Sequence, residues 1–377
     1  MTELVRFGPG LAGRRRIMFV EHTADMVGGG QQSLLHLLKF LNRDLYDPLV
    51  VLPGPGPLAS RLEAMDVPVV FLEMGPWRPG QILKAGRTVL ALRRLIRQRQ
   101  VHLVHTNASR TTLYAGLATR LLGVPLVWNV RIAAPDPLYD RALYCLADKV
   151  IAISNAVARR FPYRGSRQKV CVIYNGIDLE SFYPVDAASF RKRFGLEDKV
   201  VIGQVGQLQP LKGPGYLLKA FKGLSDLHPG AHLLFVGAPT AHQRELELMG
   251  KDLGLASRMT FAGQQDDVRE AISALDILVV PSETEGFGRV LIEGMACEKP
   301  IVAFAVDAIP EVLGHGDSGI LVEKGDVQGL AAAIRSLVED PVLVKEMVRK
   351  GRKRVARYYD IRKTARQTEI VYELSAL

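Results

Sequence analysis

The segment DLESFYPVDAAS (Asp178–Ser189), followed after a short basic stretch by VVIGQVG (Val200–Gly206), decides the reading of the fold. VVIGQVG is a continuous apolar run ending in glycine, the form of a buried first strand. Such a run already opens the chain at RIMFV (Arg16–Val20), where GGGQQSLLHLLKFL follows with helical spacing through Leu34, Leu38 and Leu41. Working outward to the amino side, DPLVVL, VHLVHT, VPLVWNV and ADKVIAIS are further strands, with TLYAGLATRLLG as a helix stopped by Gly123. To the carboxyl side, HLLFVG, RMTFAG, DILVVPS, PIVAFAV and GILVEKG repeat the pattern. Apolar strands alternating with amphipathic helices predict parallel sheets covered on both faces. The restart at Val200 makes two of them, so the chain reads as two doubly wound α/β domains divided near residue 185.

Composition agrees with this size. At 377 residues, 48% apolar and 23% charged, the chain is globular and long enough for two cores. No apolar run is long enough to span a bilayer, and MTELVRFGPGLAGRRR lacks the apolar core of a signal peptide, so a cytoplasmic protein is expected. Cys145, Cys171 and Cys297 are far apart with no C-x-x-C, which argues against structural zinc and disulfides and suggests three buried thiols. The surplus of 49 Lys+Arg over 39 Asp+Glu gives a net charge of +10. It is concentrated in RTVLALRRLIRQRQ (Arg87–Gln100) and RRFPYRGSRQK (Arg159–Lys169). These are either a solvated helix face and loop or a docking surface for anionic lipid at the inner face of a membrane. Nucleic acid is not expected, because no aromatics interleave with the basic residues.

In open α/β sheets ligands bind beyond the carboxyl ends of the strands, and two such sheets place the site in the cleft between them. Four segments at strand ends carry candidate chemistry. PSETEGFGRVLIEGMACEKP (Pro281–Pro300) follows a strand and holds Glu285 in a loop and Glu293 inside a helix starting near Gly288. A carboxylate on a small apolar helix face needs a partner, either a ligand hydroxyl or a local Lys or Arg. The amides at that helix start favour anions. VGQLQPLKGPGYLLKAF (Val205–Phe221) places Lys212 just before a helix, either as a phosphate ligand or as a solvated lysine. VGGGQQSLL (Val27–Leu35) carries Gly28, Gly29 and Gly30, which is neither G-x-G-x-x-G nor a P-loop but suggests close backbone approach, with a flexible turn as the alternative. VHLVHTNASR (Val101–Arg110) ends a strand with His105 and Asn107, which either face the cleft or, for the histidine, fill a satisfied structural place, and Asn129 and Arg131 end the next one, where they could meet an acceptor.

Together these segments resemble the retaining glycosyltransferases of family 4, which adopt the GT-B fold. The resemblance covers most of the chain and is strongest from Ala147 to Ile334. It is carried by ADKVIAISNAV, VIYNGIDLESFYP, GQLQPLKG, HLLFVG, FAGQQDDV, PSETEGFGRVLIEGMACEKPIVA and PEVLGHGDSGILVEKGD. It implies an acceptor-binding domain over 1–185, a donor-binding domain over 186–355 and a last helix, about 356–377, packed back on the first domain. It implies that Glu293 holds the ribose of a nucleotide and that Glu285 contacts the donor sugar. The amides of Phe287, Gly288 and Arg289 would meet the sugar or the pyrophosphate, with Gly286 and Val290 also on the donor side. Lys212 and Gln207 would face the diphosphate, the backbone near Ala262 and Gly263 the base, and Gly28–Gly30 the phosphates. Glu285, Lys212 and His105 would be the catalytic residues, with Asn107, Asn129 and Arg131 on the acceptor side. The chain departs from the family where Gln207 replaces a frequent Arg, Asn107 the second His of a His-x-His, and Gly294 and Glu298 a usual Ala and Gly.

The expected reaction moves a sugar from a nucleotide diphosphate sugar, UDP favoured over GDP, to a hydroxyl of a glycan or lipid-linked acceptor in surface polysaccharide, lipopolysaccharide or glycolipid synthesis. No cofactor or metal is expected, since cations and amides can carry the phosphate and Asp266 and Asp267, being adjacent, point apart. A nucleotide-sugar epimerase of the same fold, and a non-catalytic nucleotide-sugar-binding partner of another transferase, are the alternatives. Product formation with an acceptor separates them.

Overall fold

The computed structural model describes residues 13–26, 28–75, 79–163 and 165–375. The amino-terminal stretch to residue 12, read above for a leader, Val27 of the glycine loop and Arg164 of the basic loop lie outside them. The first sheet comprises β1 (Arg15–Val20), β2 (Tyr46–Leu52), β3 (Val69–Phe71), β4 (Leu103–Thr106), β5 (Leu126–Val130), β6 (Lys149–Ala152) and β7 (Val170–Val172). Its spatial order is β3-β2-β1-β4-β5-β6-β7, and every pairing is parallel. The second comprises β8 (Val200–Val205), β9 (Ala231–Val236), β10 (Met259–Phe261), β11 (Ile277–Val280), β12 (Ile301–Phe304) and β13 (Ile320–Val322). Its order is β10-β9-β8-β11-β12-β13, again all parallel. In each sheet the order reverses at the first strand, so a crevice opens at the carboxyl ends of β1 and β4 and of β8 and β11.

The strands are buried because helices cover both faces. β9 and β11 are buried at every position. The helix Pro214–Leu227 buries Leu217, Leu218, Phe221 and Leu224 against the second sheet. The short strands β3 and β7 are not among those read from the sequence. The basic tail is two helices. Pro341–Tyr358 packs on Arg289–Ala296 in the second domain, and Ile361–Ser375 returns to pack on Gly29–Phe40 and β5 in the first. The chain thus crosses between the domains twice, side by side: Ile177 N–H donates to the Tyr359 carbonyl at 2.8 Å and Ile361 N–H to the Ile177 carbonyl at 3.0 Å.

The cysteines differ from expectation. Cys297 is buried, Cys171 half-buried and Cys145 exposed. Cys145 lies on the amphipathic helix Pro137–Leu146, whose outer face its apolar neighbours disguise in sequence. Burial pushes the Cys297 thiol up to about 12. Among the described residues no helix is long and apolar enough to cross a membrane.

Candidate active site

β11 ends at Val280, and the chain turns through Ser282–Phe287 into the helix Arg289–Ala296, whose N-cap Gly288 is left-handed at φ 82°. Glu285 sits in that turn, fixed by its own N–H donating to Asp307 Oδ2 at 2.8 Å. Its carboxylate accepts from Lys212 Nζ at 2.5 Å and from Ser282 Oγ at 3.4 Å. Lys212 ends the turn Pro210–Lys212, whose carbonyl at Lys212 accepts from Gln204 Nε2 at 2.8 Å. One turn along the helix, Glu293 accepts from Arg289 Nη2 at 3.2 Å, which is the local pairing that the sequence left open.

Arg289 does more than pair. Its Nη1 donates across the cleft to Ser33 Oγ and to the Gly176 carbonyl, both at 3.3 Å. A Cβ on Gly29 would lie 2.7 Å from Arg289 Cδ, so the glycine run leaves room for this arginine. Gly286 makes the reverse approach: a Cβ there would lie 2.3 Å from the Arg131 carbonyl oxygen. Ser154 Oγ donates to the Gly286 carbonyl at 2.7 Å. The loop from Glu285 to Arg289 is therefore seated against the first domain.

A cavity of about 460 Å³ lies between the two domains. The second domain contributes Gln207, Lys212, Glu285, Phe287, Gly288, Arg289, Val290 and Glu293, and the first contributes Gly28, Gly29, Gly30 and Arg131. Of the expected base site, Ala262 and Gly263 are absent from the lining. Their backbone is engaged with β9 and Gln265, and Gln264, Gln265 and Asp266 line the cavity instead. Asp267 turns away to cap the next helix and pair with Arg269.

His105 corrects the expectation of a cleft-facing, catalytic histidine. Every position of β4 is buried, and strand alternation turns His105 to the sheet face that the last helix covers. The ring lies 5.0 Å from Phe19 and edge-on to Tyr372 of the last helix, with Nδ1 2.8 Å from the Tyr372 hydroxyl. Burial, aided by the Arg131 charge, pushes its pKa down to about 3, so it stays neutral. Asn107 and Asn129 likewise lie behind the cavity wall rather than on it. Asn107 Oδ1 accepts from Asn129 Nδ2 at 3.0 Å and from Arg131 Nε and Nη2 at 3.3 and 3.2 Å, and only Arg131 reaches the cavity.

Sequence reasoning missed Glu21, Asn175, Arg61, Gln204 and Ser282. Glu21 follows β1, is 1% exposed and accepts from Asn107 Nδ2. A lone carboxylate directly after RIMFV was the signal available. Asn175 accepts from Arg131 Nη1 at 3.1 Å. Arg61, on the helix Pro57–Glu63, lines the cavity from the first domain. Among the described residues no cluster of His, Cys, Asp and Glu could hold a metal ion.

Two parallel sheets facing across a cavity, with a lysine, a helix start and two carboxylates on one wall, are the architecture of the GT-B fold. The comparisons agree. Residues 186–354 match the family described as Glycosyl transferases group 1, and residues 27–181 match Glycosyltransferase Family 4. The chain is 30% identical over 347 residues to a D-inositol 3-phosphate glycosyltransferase of Mycobacterium marinum, covering 81% of this chain and 72% of that protein. It is 31% identical over 228 residues to the N-acetyl-alpha-D-glucosaminyl L-malate synthase of Bacillus anthracis, covering 60% and 59%. The crystal structure of Anabaena Alr3699/HepE in complex with UDP and glucose superposes with a TM-score of 0.83 at 26% identity, covering 97% of this chain and all of that one. The chain belongs to the family 4 glycosyltransferases, and it is a transferase.

Proposed function

We infer that this transferase takes a UDP-sugar as donor and moves the sugar, with retention at the anomeric carbon, to a hydroxyl of a glycan or lipid-linked acceptor. The observation that carries this reading is the single cavity onto which Lys212, Glu285, Glu293 and the start of the helix Arg289–Ala296 open from one domain, opposite Gly28–Gly30 and Arg131 of the other. The Anabaena protein, similar over its whole length, was crystallised with UDP and glucose, which favours UDP.

Each part has a chemical task. Glu293 would accept hydroxyls of the ribose, exchanging part of its bond to Arg289 for them. The diphosphate would compete with Glu285 for Lys212 and take the free amides at the helix start. As the sugar–phosphate bond breaks, negative charge grows on the leaving diphosphate, where Lys212 and the helix start are already aimed. Glu285, released from Lys212, is left for the sugar hydroxyls. No metal ion enters this scheme. Calorimetric titration of the wild type and Glu293→Ala with UDP, GDP and ADP tests it. UDP binding that is lost in the variant is the expected result, and binding of none of the three refutes the donor site.

The acceptor end is proposed to work at an anionic membrane surface. The helix Ile82–Gln98 turns Leu83 (83% exposed) and Leu90 (62%) outward beside the exposed Arg87, Arg94 and Arg97. Apolar side chains among arginines suit the interface of an anionic bilayer.

A further inference from the structure

Beyond the donor groups, the ends of β1, β4 and β5 and the residues after β7 converge on one buried polar chain. Asn107 Nδ2 donates to Glu21 Oε1. Asn107 Oδ1 receives three N–H groups, one from Asn129 and two from Arg131. Asn175 receives a fourth, from Arg131 Nη1. Three of the five N–H groups of Arg131 are so engaged, which leaves two at the cavity it lines. We propose that Glu21 is a positioning residue for the transfer: through the amide of Asn107 it holds the Arg131 guanidinium at the cavity floor, with the two remaining N–H groups presented to an anionic ligand group.

The physical argument is the load on one oxygen. Two cationic N–H donors and one neutral donor on a single amide carbonyl draw charge from it, and a carboxylate accepting from the same amide's nitrogen returns that charge. Hydrogen bonds in such a chain strengthen one another, most of all away from water. Glu21 is 1% exposed, so its carboxylate spends its charge on this chain and not on solvent. Without it, a half-buried arginine would rest on neutral amides alone. Burial outweighs Arg131 and Asn107 and raises the Glu21 pKa to about 7. The groups facing it are few. His22 Nδ1 is 3.9 Å from Glu21 Oε2, and burial and Arg110 hold its pKa below the ordinary value. His105, in reach of the Arg131 charge, stays neutral. Arg289 adds a second positive charge near Arg131. Ionisation of Glu21 as pH rises therefore tightens the hold on Arg131.

The proposal rests on the donor reading only for its catalytic consequence, and the test separates the two. Glu21→Gln keeps the shape and removes the charge, and it also removes a buried ionisable group, so it is expected to fold. Glu21→Asp keeps the charge on a shorter stem. The first readout is the Arg131 Nε–H signal by NMR in the unliganded protein. In the wild type it is expected to be protected from exchange and to move as pH passes about 7, and in Glu21→Gln to exchange faster and ignore pH. A signal unchanged by the substitution overturns the proposal. The second readout is cleavage of UDP-glucose. The wild-type kcat is expected to rise roughly five-fold between about pH 6 and about pH 8, Glu21→Gln to stay flat at the lower value with KM within about two-fold, and Glu21→Asp to recover part of the rise. Matching profiles for wild type and Glu21→Gln also overturn it. If the wild type neither binds nor cleaves UDP-glucose, the donor reading fails, while the Nε–H signal still decides the role of Glu21.

Discussion

Lys212 and Glu285 were both legible as residues, yet not as a pair. Seventy-three positions separate them, and only the packing of the Pro210–Lys212 turn against the end of β11 brings Nζ within 2.5 Å of the carboxylate. If Lys212 carries leaving-group charge, Lys212→Met lowers kcat for donor cleavage by about 100-fold, the cost of removing one aimed charge stabiliser. Melting temperature should change little, because the pair is partly exposed. A variant that retains full rate would reassign the diphosphate to another cation. His105 and Glu21 mark the limit of residue-level reading. Both end strands and both bear polar side chains, but strand parity and the return of the last helix bury His105 against Phe19 and Tyr372. That placement has a consequence in acid. A histidine whose folded pKa, about 3, lies below its unfolded value stabilises the fold above about pH 6.5 and loses that contribution as pH falls through the window. His36 and His232, each lowered to about 4, act in the same direction. Glu21, raised to about 7, acts oppositely: its contribution is present below about pH 4.5 and is lost as pH rises through 7. Urea unfolding across this range is expected to show a shallower acid decline in His105→Gln, and an unchanged slope would mean that the ring is charged in the folded protein.

At the scale of the element, the helix Arg289–Ala296 shows why a sequence rule can be right and incomplete. Gly294 costs helix propensity, and Ala is usual there. In the fold a Cβ at 294 would lie 2.4 Å from Leu278 Cδ2 of β11, a fully buried side chain. Gly294→Ala therefore sets a propensity gain of about 1 kcal/mol against overpacking of roughly 1–3 kcal/mol, and the expected net is a destabilised protein in denaturant titration. Glu298, just past the same helix, stands at φ 58° where glycine is usual. Glu298→Gly relieves about 1 kcal/mol of left-handed strain and gives up an exposed pair with Arg352, so its melting temperature is expected to hold or rise slightly. Neither Leu278 of β11 nor Ile301 of β12, the two side chains that such a Cβ would meet, is visible in the local sequence. The helix Ile82–Gln98 is a different case. Its buried face, Ala85, Thr88, Leu92 and Ile96, follows the helical period, whereas exposed Leu83 and Leu90 break it. If that face meets lipid, replacing Arg94 and Arg97 by Glu abolishes co-sedimentation with phosphatidylglycerol vesicles, and wild-type indifference to such vesicles removes the membrane from the reading.

Over the whole molecule, alternation of apolar strands and helices, with a restart at Val200, made two parallel sheets legible, because a sheet buried on both faces writes itself as uninterrupted apolar runs. The last helix was expected to return to the first domain, but the side-chain contacts that join the domains were not legible, because each is a single residue meeting another more than a hundred positions away. Glu311, on the helix Ile309–Val312 of the second domain, makes one such joint. Its carboxylate accepts from the Asn155 N–H at 2.9 and 3.0 Å and from Asn155 Nδ2 at 2.6 Å, at the start of the short helix Asn155–Ala158 in the first domain. Asn155 Nδ2 also reaches the Tyr174 hydroxyl at 3.1 Å, beside the crossing strands at Ile177 and Asp360. One domain thus caps a helix of the other, next to the place where the chain passes between them. Other contacts between the domains, Arg289 to Ser33 and to the Gly176 carbonyl and Ser154 to Gly286, belong to the loop that the donor would touch. Glu311 is a joint that can be cut without entering the cavity. Loss of a cap costs about 0.5–2 kcal/mol, small against the stability of either domain but all of it placed on their mutual orientation. Glu311→Ala is therefore expected to leave each core intact while loosening the closed arrangement. Small-angle scattering should give a larger radius of gyration for the unliganded variant than for the wild type, and UDP should reduce that difference by drawing the cavity walls together. Equal radii would show that the two chain crossings and the Arg289 contact hold the domains without the cap.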